Sequence, residues 1–369
     1  MANSHVLIGV DIGGTKIKVG AVALGPDGPL LTLIASAHIA TPRTSPPQLY
    51  DAIAALVATL RADGSREVIA VSVAHPGRFL PDGRLARGTT PNLGARPNEF
   101  DGVHVVEELS RRLGVRVVAE NDAVAQMRFG LDALLRDPIA RPHLVGDTVV
   151  YLGPGTGMGG GVARVSRDGT VTPITDGHFF DLQLPALGDG TLTAEEVFTG
   201  PAMARRVAEA NTRLTTPIEP ARAGRLDEIL LGAACPPEHR AVAERIPGEA
   251  GEILATIIET IRAGRITKVR LEPHPDGTIA RVVDEPDRAW PESDKALVRG
   301  ARRFILGGFI GCSKGFGARM RERALAVLRQ RGMSEVMLFP IPVESADAGV
   351  LGALLALHLR DKHLRDEHL

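Results

Sequence analysis

A carboxylate and two adjacent glycines lie between two apolar segments near the start of the chain, in the run Val10-Asp11-Ile12-Gly13-Gly14-Thr15-Lys16. Adjacent glycines leave backbone N–H groups uncovered by side chains and permit backbone geometry closed to other residues, so phosphate oxygens can approach. Thr15 adds a hydroxyl donor, and Asp11 can hold a hydrated magnesium ion beside the phosphates. The run therefore predicts a phosphate-binding hairpin, with an ordinary glycine turn as the alternative.

A second strand-turn-strand segment, at residues 148–165, repeats this plan around the turn Gly155-Thr156-Gly157. Residues 155–160 have the glycine spacing of a dinucleotide-binding fingerprint, but a strand follows them where that fingerprint requires a helix. Gly9 and Gly14 likewise have the spacing of a P-loop, and again a strand follows. Two such loops about 140 residues apart suggest two similar halves that face one nucleotide across a cleft.

A third candidate site lies in Glu120-Asn121-Asp122-Ala123, where a helical pattern begins directly after a short apolar strand. A carboxylate at a strand end can accept a proton from a substrate hydroxyl, and the positive end of the helix favours its charged form. Asn and Asp are also favoured helix caps. These four residues by themselves therefore leave two interpretations open, a catalytic base and a simple cap.

The composition excludes several classes of protein. The chain has 369 residues, 44% of them hydrophobic, and a formal net charge of −1. This length suits two domains with their own cores, and a near-neutral chain without a basic run argues against nucleic acid as a partner. Its two cysteines cannot make a disulfide framework. The N-terminus is short and polar, and no apolar stretch approaches about 18 residues. We therefore expect a cytoplasmic protein without a membrane partner.

The elements that must position these residues alternate between strands and helices, which predicts an α/β fold. We expect a small N-terminal domain at residues 1–120, completed by a C-terminal helix at about 355–369, and a larger domain at 121–354 with an insertion near 273–300. The main predicted strands are at 6–10, 17–22, 30–39, 68–73, 115–119, 266–271, 278–283, 304–306 and 336–339. The main predicted helices are at 46–60, 103–113, 121–135, 252–261, 314–330 and from 346.

Six segments of the chain form a set of motifs: Asp11-Ile12-Gly13-Gly14-Thr15-Lys16, Pro91-Asn92-Leu93, Glu120-Asn121-Asp122-Ala123, residues 152–161, Leu306-Gly307-Gly308 and residues 347–353. In their order and approximate spacing these segments resemble ROK-type sugar kinases and bacterial glucokinases. The resemblance covers nearly the whole chain. It implies the actin-like, ribonuclease H-like ATPase fold, with two α/β domains and a central cleft, and a kinase that uses ATP and Mg²⁺.

Residue by residue, the resemblance implies that Asp122 is the catalytic base, which takes the proton of the sugar hydroxyl as it attacks the γ-phosphate. Asn92 and Asn121 match ligands of sugar hydroxyls, and Glu195 matches a Glu that contacts the sugar near its anomeric carbon. Asp11 would hold magnesium through water. The residues matched to the nucleotide are Gly13, Gly14, Thr15 and Lys16 in the first loop, Gly155, Thr156 and Gly157 in the second, and Gly307 with Gly308 under the adenosine.

The chain departs from the family pattern at the zinc site and at the sugar site. Many ROK kinases hold zinc on three cysteines and the histidine of a Glu-x-Gly-His motif, whereas this chain has no cysteine before Cys235, so we expect no zinc site. Gly177-His178 keeps the Gly-His pair, but Thr175 stands where the motif has Glu. Either Asp176 replaces that Glu after a one-residue shift or the sugar contact is lost. His178 is expected to bind a sugar hydroxyl, with a histidine bonded to backbone as the alternative.

These patterns predict ATP-dependent phosphorylation of a hexose or a related sugar or polyol at a primary hydroxyl, with glucose as the default substrate and a homodimer as the expected assembly. The alternative from another class is a regulatory or non-catalytic sugar-binding homologue. The first strand pattern starts at Val6, so we expect no DNA-binding helix-turn-helix, and the presence of both Asp11 and Asp122 argues against a non-catalytic homologue. Within the enzyme class, polyphosphate is the alternative phosphate donor.

Overall fold

The chain divides into two compact units, Met1–Asp132 with Ser345–Leu369, and Ala133–Glu344. The computed structural model describes residues 4–25, 28–61, 66–90, 93–96, 99–175, 182–184, 187, 192–265, 269–273, 279–283, 292–341 and 347–360. These boundaries differ from the expected ones at 120 and 354. The start of the helix after Asn121 packs within the first unit, and so does the whole C-terminal helix.

The first unit is built on a five-stranded sheet in which antiparallel and parallel pairing meet at one strand. β1 (Ser4–Ile12) pairs antiparallel with β2 (Lys16–Gly25) and parallel with β4 (Arg66–His75). The order is β3-β2-β1-β4-β5, with β3 (Gly28–Ala40) and β5 (Arg116–Asn121) at the edges. Its helices are α1 (Pro46–Thr59), α2 (Val105–Leu113), α3 (Asp122–Arg136), which continues past the unit boundary, and α12 (Ala348–Arg360).

The two faces of this sheet are covered by different helices. Val6, Ile8 and Val10 on β1 are buried in a core that includes apolar residues of α1 and α2. The alternate residues of β1 point to the opposite face, where α12 packs against β1 and β4. Gly9 lies against Val350 of α12, and the Ser72 hydroxyl donates to the Ala353 carbonyl at 2.6 Å. Burial on both faces explains why β1 is nearly all apolar up to Asp11.

The second unit repeats the sheet plan of the first. β6 (Thr148–Pro154) pairs antiparallel with β7 (Met158–Val165) and parallel with β11 (Arg303–Leu306). The order is β12-β11-β6-β7-β8, with β8 (Val171–Thr175) and β12 (Met337–Pro340) at the edges. Read from the antiparallel edge, both sheets place three antiparallel strands before two parallel ones. The duplication expected from the two glycine hairpins is confirmed.

Helices and one further hairpin complete the second unit. The long α8 (Pro237–Arg262) packs against α11 (Phe316–Gln330) around a large apolar core. The sequence predicted only residues 252–261 as helical; Pro247 lies inside the helix and interrupts the pattern that would have extended it. The remaining elements are α4 (Arg141–Leu144), α5 (Ala194–Val197), α6 (Gly200–Asn211), α7 (Ala223–Leu230), α9 (Glu292–Val298), α10 (Gly308–Cys312), β9 (Val269–Pro273) and β10 (Ile279–Val283).

The hairpin predicted at 266–283 is present as the antiparallel pair β9 and β10. Of the expected insertion at 273–300, residues 274–278 and 284–291 lie outside the described residues. Within the described ranges, none of the helices has the length and apolar character needed to cross a membrane.

The close approach of α12 to α3 gives the first prediction. A Cβ at Gly352 would overlap the Ala125 carbonyl of α3, so Gly352→Ala must separate the two helices. We expect a loss of about 3 kcal/mol in the stability of the first unit, measured as a lower urea midpoint by circular dichroism.

The matched control is Gly248→Ala inside α8, where an added Cβ meets nothing within 4 Å. Removing glycine from a helix interior should raise stability by about 0.5–1 kcal/mol. If both variants unfolded at the wild-type midpoint, the tight packing of α12 would be contradicted.

Candidate functional site

The parallel pairing of β1, β4 and β5 brings three strand ends to one edge of the first sheet. Asp11 is opposite Ala74, and His75 is opposite Asn121 in the strand register. Asp122 follows Asn121 directly and is the first residue of α3. The carboxyl ends of these strands therefore bring together Asp11 and the pair Asn121-Asp122, which lie in two separate motifs of the sequence.

The electrostatic surroundings of Asp11 disfavour its charged form. Burial is the largest cause and, together with the negative charges of Asp122 and Asp347, raises the pKa of Asp11 to about 7. Lys18 on the neighbouring strand opposes the shift, but its ammonium also lies 3.8 Å from the Asp347 carboxylate. A Cβ at Gly349 would overlap the Asp11 carboxylate, so α12 closes over this side chain.

Asp347 was not selected from the sequence as a site residue. It belongs to the segment 347–353 that carried part of the resemblance, but the motif gave it no role. Asp347 could have been recognised from its position directly before the start of α12, because a helix N-terminus favours a nearby anion.

The oxygen donors at this edge fit a magnesium ion. Mg²⁺ prefers carboxylate, phosphate and water oxygens, and it commonly takes only one or two carboxylates from the protein. Asp11 supplies a desolvated carboxylate that needs a positive partner. Across the described part of the chain, no group of three or more His, Cys, Asp and Glu side chains could hold a metal ion.

Asn121 caps α3 and ties its start to the loop that follows β4. Its side-chain oxygen accepts hydrogen bonds from the backbone N–H groups of Ala123 at 3.0 Å and Val124 at 3.3 Å. Its amide nitrogen donates to the Gly77 carbonyl at 3.0 Å. Asp122 shares the capping, because its carboxylate accepts the same Ala123 N–H at 2.9 Å. Both residues that the sequence offered as caps therefore bond the first turn of α3, and these bonds fix the position of Asp122.

A buried ion pair also stabilises the end of β5. Arg128 of α3 donates to both carboxylate oxygens of Glu120, at 3.1 and 3.0 Å, and both residues are buried. Removing one partner from a buried pair leaves an uncompensated charge, which is strongly unfavourable. The pair therefore holds the end of β5 against α3, directly before Asn121 and Asp122.

His75 is a buried residue at the carboxyl end of β4, and the sequence patterns did not indicate it as a site residue. Its Nε2 is 3.2 Å from the Tyr50 hydroxyl and its Nδ1 is bonded to the Pro76 carbonyl. Burial lowers the pKa of His75 to about 4, so the ring is neutral near pH 7. The ring packs beside Phe79 and Phe100. It braces the turn at Gly77, whose carbonyl accepts the bond from Asn121.

The first glycine loop, residues 13–16, joins β1 to β2. Gly13 N–H donates to the Lys16 carbonyl at 3.0 Å, and the Thr41 hydroxyl donates to the Gly13 carbonyl at 2.6 Å. Neither Gly13 nor Gly14 lies in the left-handed region, so the expected need for special backbone geometry is not found. A Cβ on Gly14 would meet nothing within 4 Å, and Thr15 and Lys16 are exposed. The loop leaves space over its backbone for a ligand.

The second glycine loop, residues 155–157, joins β6 to β7 in the other unit. Gly155 N–H donates to the Gly157 carbonyl at 2.9 Å. Glu195 of α5 reaches this loop, where its carboxylate accepts the Met158 N–H at 3.2 Å. The sequence had matched Glu195 to a sugar contact, and no pattern pointed to a contact with the glycine loop.

The Gly307-Gly308 turn lies directly beside the second loop. Gly308 has φ +65°, in the left-handed region that favours glycine, and its Cβ would overlap the Pro154 carbonyl. Gly307 N–H donates to the Leu152 carbonyl at 2.9 Å. Packing against β6 thus accounts for the glycine at position 308, and contact with adenosine stays a prediction.

Two sequence-predicted sugar ligands, Asn92 and His178, lie outside the described residues, as does Asp176. Thr175 is the last residue of β8.

Comparison with known proteins identifies the relatives of this chain. Residues 7–167 match the model of the ROK family. An N-acetylmannosamine kinase of Shigella boydii serotype 18 is 30% identical over 268 residues, 69% of this chain and 78% of that protein. A glucokinase of Streptomyces coelicolor is 33% identical over 176 residues. That match covers 47% of this chain and 46% of the glucokinase, so it spans about half the length of that relative.

The fold has counterparts among solved structures. A ROK family glucokinase from Streptomyces griseus, in complex with glucose and AMPPNP, superposes with a TM-score of 0.61 at 18% identity, over 95% of this chain and 98% of that chain. The actin-like ATPase fold expected from the sequence is confirmed.

The electrostatics of Asp11 predict an unusual pH dependence of stability. Because the pKa of Asp11 is about 7 in the folded chain and near 3.8 as an ordinary carboxyl, the folded state binds more protons between these values. The unfolding free energy therefore falls as pH rises from about 4 to 7. Asp11→Asn should be more stable than wild type by about 4 kcal/mol at pH 8 without magnesium or nucleotide, and nearly equal at pH 4.

Denaturant unfolding at both pH values measures the difference. Asp82→Asn is the matched control, because the Asp82 side chain is 61% exposed and should change stability by less than about 0.5 kcal/mol. If wild type had a higher unfolding free energy than Asp11→Asn at pH 8, the inference that the ionised Asp11 carboxylate destabilises the folded chain would be wrong.

Proposed function

Because the chain belongs to the ROK family, we propose that it is a kinase that transfers the γ-phosphate of ATP to a hydroxyl of a hexose or a related sugar or polyol. The observation that carries the proposal is the meeting of Asp11 and Asp122 at one sheet edge, with Asp122 fixed by the Asn121 cap. The duplicated glycine loops support it further, because glycine turns of this kind let phosphate oxygens approach the backbone. Magnesium, when bound, would neutralise phosphate charge during transfer.

Asp122 is the proposed general base. It accepts the proton of the substrate hydroxyl as the hydroxyl oxygen bonds to the γ-phosphorus, the bond from that phosphorus to the β-γ bridging oxygen breaks, and ADP leaves with the bond electrons. Asn121 and the Glu120–Arg128 ion pair keep the base in place. Asp11 would hold a hydrated magnesium ion, which would supply positive charge beside the phosphates. Asn121 and Glu195, together with Asn92 and His178, are the proposed sugar ligands.

The nucleotide contacts are assigned to the glycine loops and the adjoining turn. In the first loop Gly14 and Thr15 are assigned as N–H and hydroxyl donors, and Lys16 adds a positive charge. In the second loop Thr156 and Gly157 are assigned the equivalent role. Gly13 and Gly155, whose N–H groups are bonded within their loops, are assigned as points of close backbone approach. Gly307 and Gly308 are assigned to the adenosine. The AMPPNP bound by the Streptomyces griseus relative supports ATP over polyphosphate as the donor.

The identity of the sugar is the less determined part of the proposal. The two relatives described above are named for different substrates, glucose and N-acetylmannosamine, at similar identity. Glucose remains the default, and N-acetylmannosamine is the second candidate because that relative matches over more of its length. A sugar-binding homologue without turnover is the alternative from another class.

Replacing the base tests the mechanism. Asp122→Asn keeps the size of the side chain but cannot accept a proton, so we expect turnover to fall by about 100-fold or more. Sugar binding, measured by calorimetry, should remain detectable. Asp132→Asn, the same substitution further along α3, should retain wild-type turnover. Near-normal turnover of Asp122→Asn would remove Asp122 from the mechanism.

A substrate survey tests the function itself. ADP release is measured with Mg·ATP and glucose, mannose, fructose, N-acetylated hexosamines or inositols, and sugar phosphate formation is measured with polyphosphate as donor. We expect the highest kcat/KM for glucose or N-acetylmannosamine, with ATP as donor. Absence of turnover with every pair would favour the sugar-binding homologue.

A further inference from the structure

The α5–α6 segment, residues 193–200, contacts the second glycine loop at two points. The Glu195 carboxylate accepts the Met158 N–H at 3.2 Å, where the loop enters β7. The Gly200 N–H donates to the Gly155 carbonyl at 2.8 Å, where the loop leaves β6. One segment therefore holds both ends of the three-residue turn.

Glycines on both sides of this contact allow the close approach. A Cβ on Gly157 would lie 3.0 Å from a carboxylate oxygen of Glu195, and a Cβ on Gly200 would lie 3.2 Å from the Gly155 carbonyl oxygen. Both distances are tighter than ordinary van der Waals contact. The glycines at 157 and 200 are thus explained by the fit of this segment against the loop.

The segment itself is held rigidly by helix caps. Thr193 and Glu196 form a capping box at the start of α5, and Thr199 caps α6 while its hydroxyl donates to the Glu195 carbonyl at 2.9 Å. A capping box satisfies two backbone donors at once and fixes the first helical turn. The backbone of Glu195 lies between these two caps, which limits where its carboxylate can reach.

The negative charge of Glu195 is unexpected next to a loop that is proposed to bind phosphate. A carboxylate beside a loop that binds phosphate repels its ligand, since like charges at short range disfavour each other. A hydrogen bond from a backbone N–H to a carboxylate is stronger than one to a neutral acceptor. The Glu195 carboxylate therefore bonds the Met158 N–H somewhat more strongly than a neutral acceptor in the same place would.

We propose that Glu195 is a positioning residue for the nucleotide, holding the second glycine loop in the shape that binds phosphate. This role is separate from the sugar contact assigned to Glu195 above, and it rests on the proposed function through the phosphate-binding role of the loop. Binding of nucleotide in the absence of sugar then depends on Glu195, although Glu195 itself does not touch the phosphates.

The test measures two properties of the full chain without sugar. The first is the hydrogen-exchange rate of the Met158 amide, and the second is the affinity for the non-hydrolysable analogue Mg·AMPPNP by calorimetry. Glu195→Ala removes the acceptor, so the Met158 amide should exchange at least about 10-fold faster and Mg·AMPPNP should bind about 10-fold more weakly. Glu195→Gln keeps an acceptor oxygen and should restore binding to within about 3-fold of wild type.

Glu196→Ala is the matched control, because it removes a neighbouring carboxylate and weakens the capping box of α5 without touching the loop. It should leave both the Met158 exchange rate and the Mg·AMPPNP affinity close to wild type. If Glu196→Ala reproduced the effects of Glu195→Ala, general loosening of α5 would explain them and the proposal would be wrong.

Failure of this inference is distinguishable from failure of the proposed function. If wild type binds Mg·AMPPNP and Glu195→Ala binds it equally well, the positioning role is overturned and the kinase proposal stands. If wild type does not bind Mg·AMPPNP, both the proposed function and the positioning role are overturned. A rise in sugar KM alone, with unchanged Mg·AMPPNP affinity, would also overturn the positioning role and leave Glu195 as a sugar ligand.

Discussion

The crowding of negative charge around Asp11 is the constraint on which the candidate site depends. Asp11 lies at the end of a strand that is buried on both faces, and Asp122 and Asp347 add to the cost of its ionisation. Lys18 offsets only part of this cost, since it also pairs with Asp347. An ionised carboxylate in such surroundings destabilises the folded state, and a bound cation would offset this cost. This is how binding sites commonly oppose stability.

The fold supplies the close packing that creates this crowding. Parallel pairing of β1, β4 and β5 sets the strand ends side by side, and glycines in α12 let that helix approach Asp11 and α3 without a side chain between them. The caps at Asn121 and the ion pair of Glu120 with Arg128 then fix the start of α3. Together these contacts fix the backbone around Asp122, whose carboxylate also accepts the Ala123 N–H at 2.9 Å.

The sequence predicted those features of the structure that depend on a local pattern of residues. The glycine turn after Asp11 and its repeat at 155–157 predicted two matching sheets, because strand alternation and turn residues are local signals. Asn121 was ambiguous, since a cap and a ligand need the same residue type, and only the bonds to Ala123, Val124 and Gly77 resolved the cap. The contact of Glu195 with Met158 joins residues far apart in the chain, which no local pattern reveals. The extent of α8 was missed because Pro247 resembles a helix end.

The most direct test of the account is the effect of Mg·AMPPNP on the melting temperatures of wild type and Asp11→Asn at pH 8. A ligand that binds only the folded state raises Tm, and at a fixed ligand concentration the rise grows with the logarithm of the affinity. The account predicts that Asp11→Asn melts higher than wild type without ligand and lower with Mg·AMPPNP, because only the carboxylate gains from the metal. An equal rise in Tm for the two proteins would contradict the role of Asp11 as the residue that receives the metal and nucleotide.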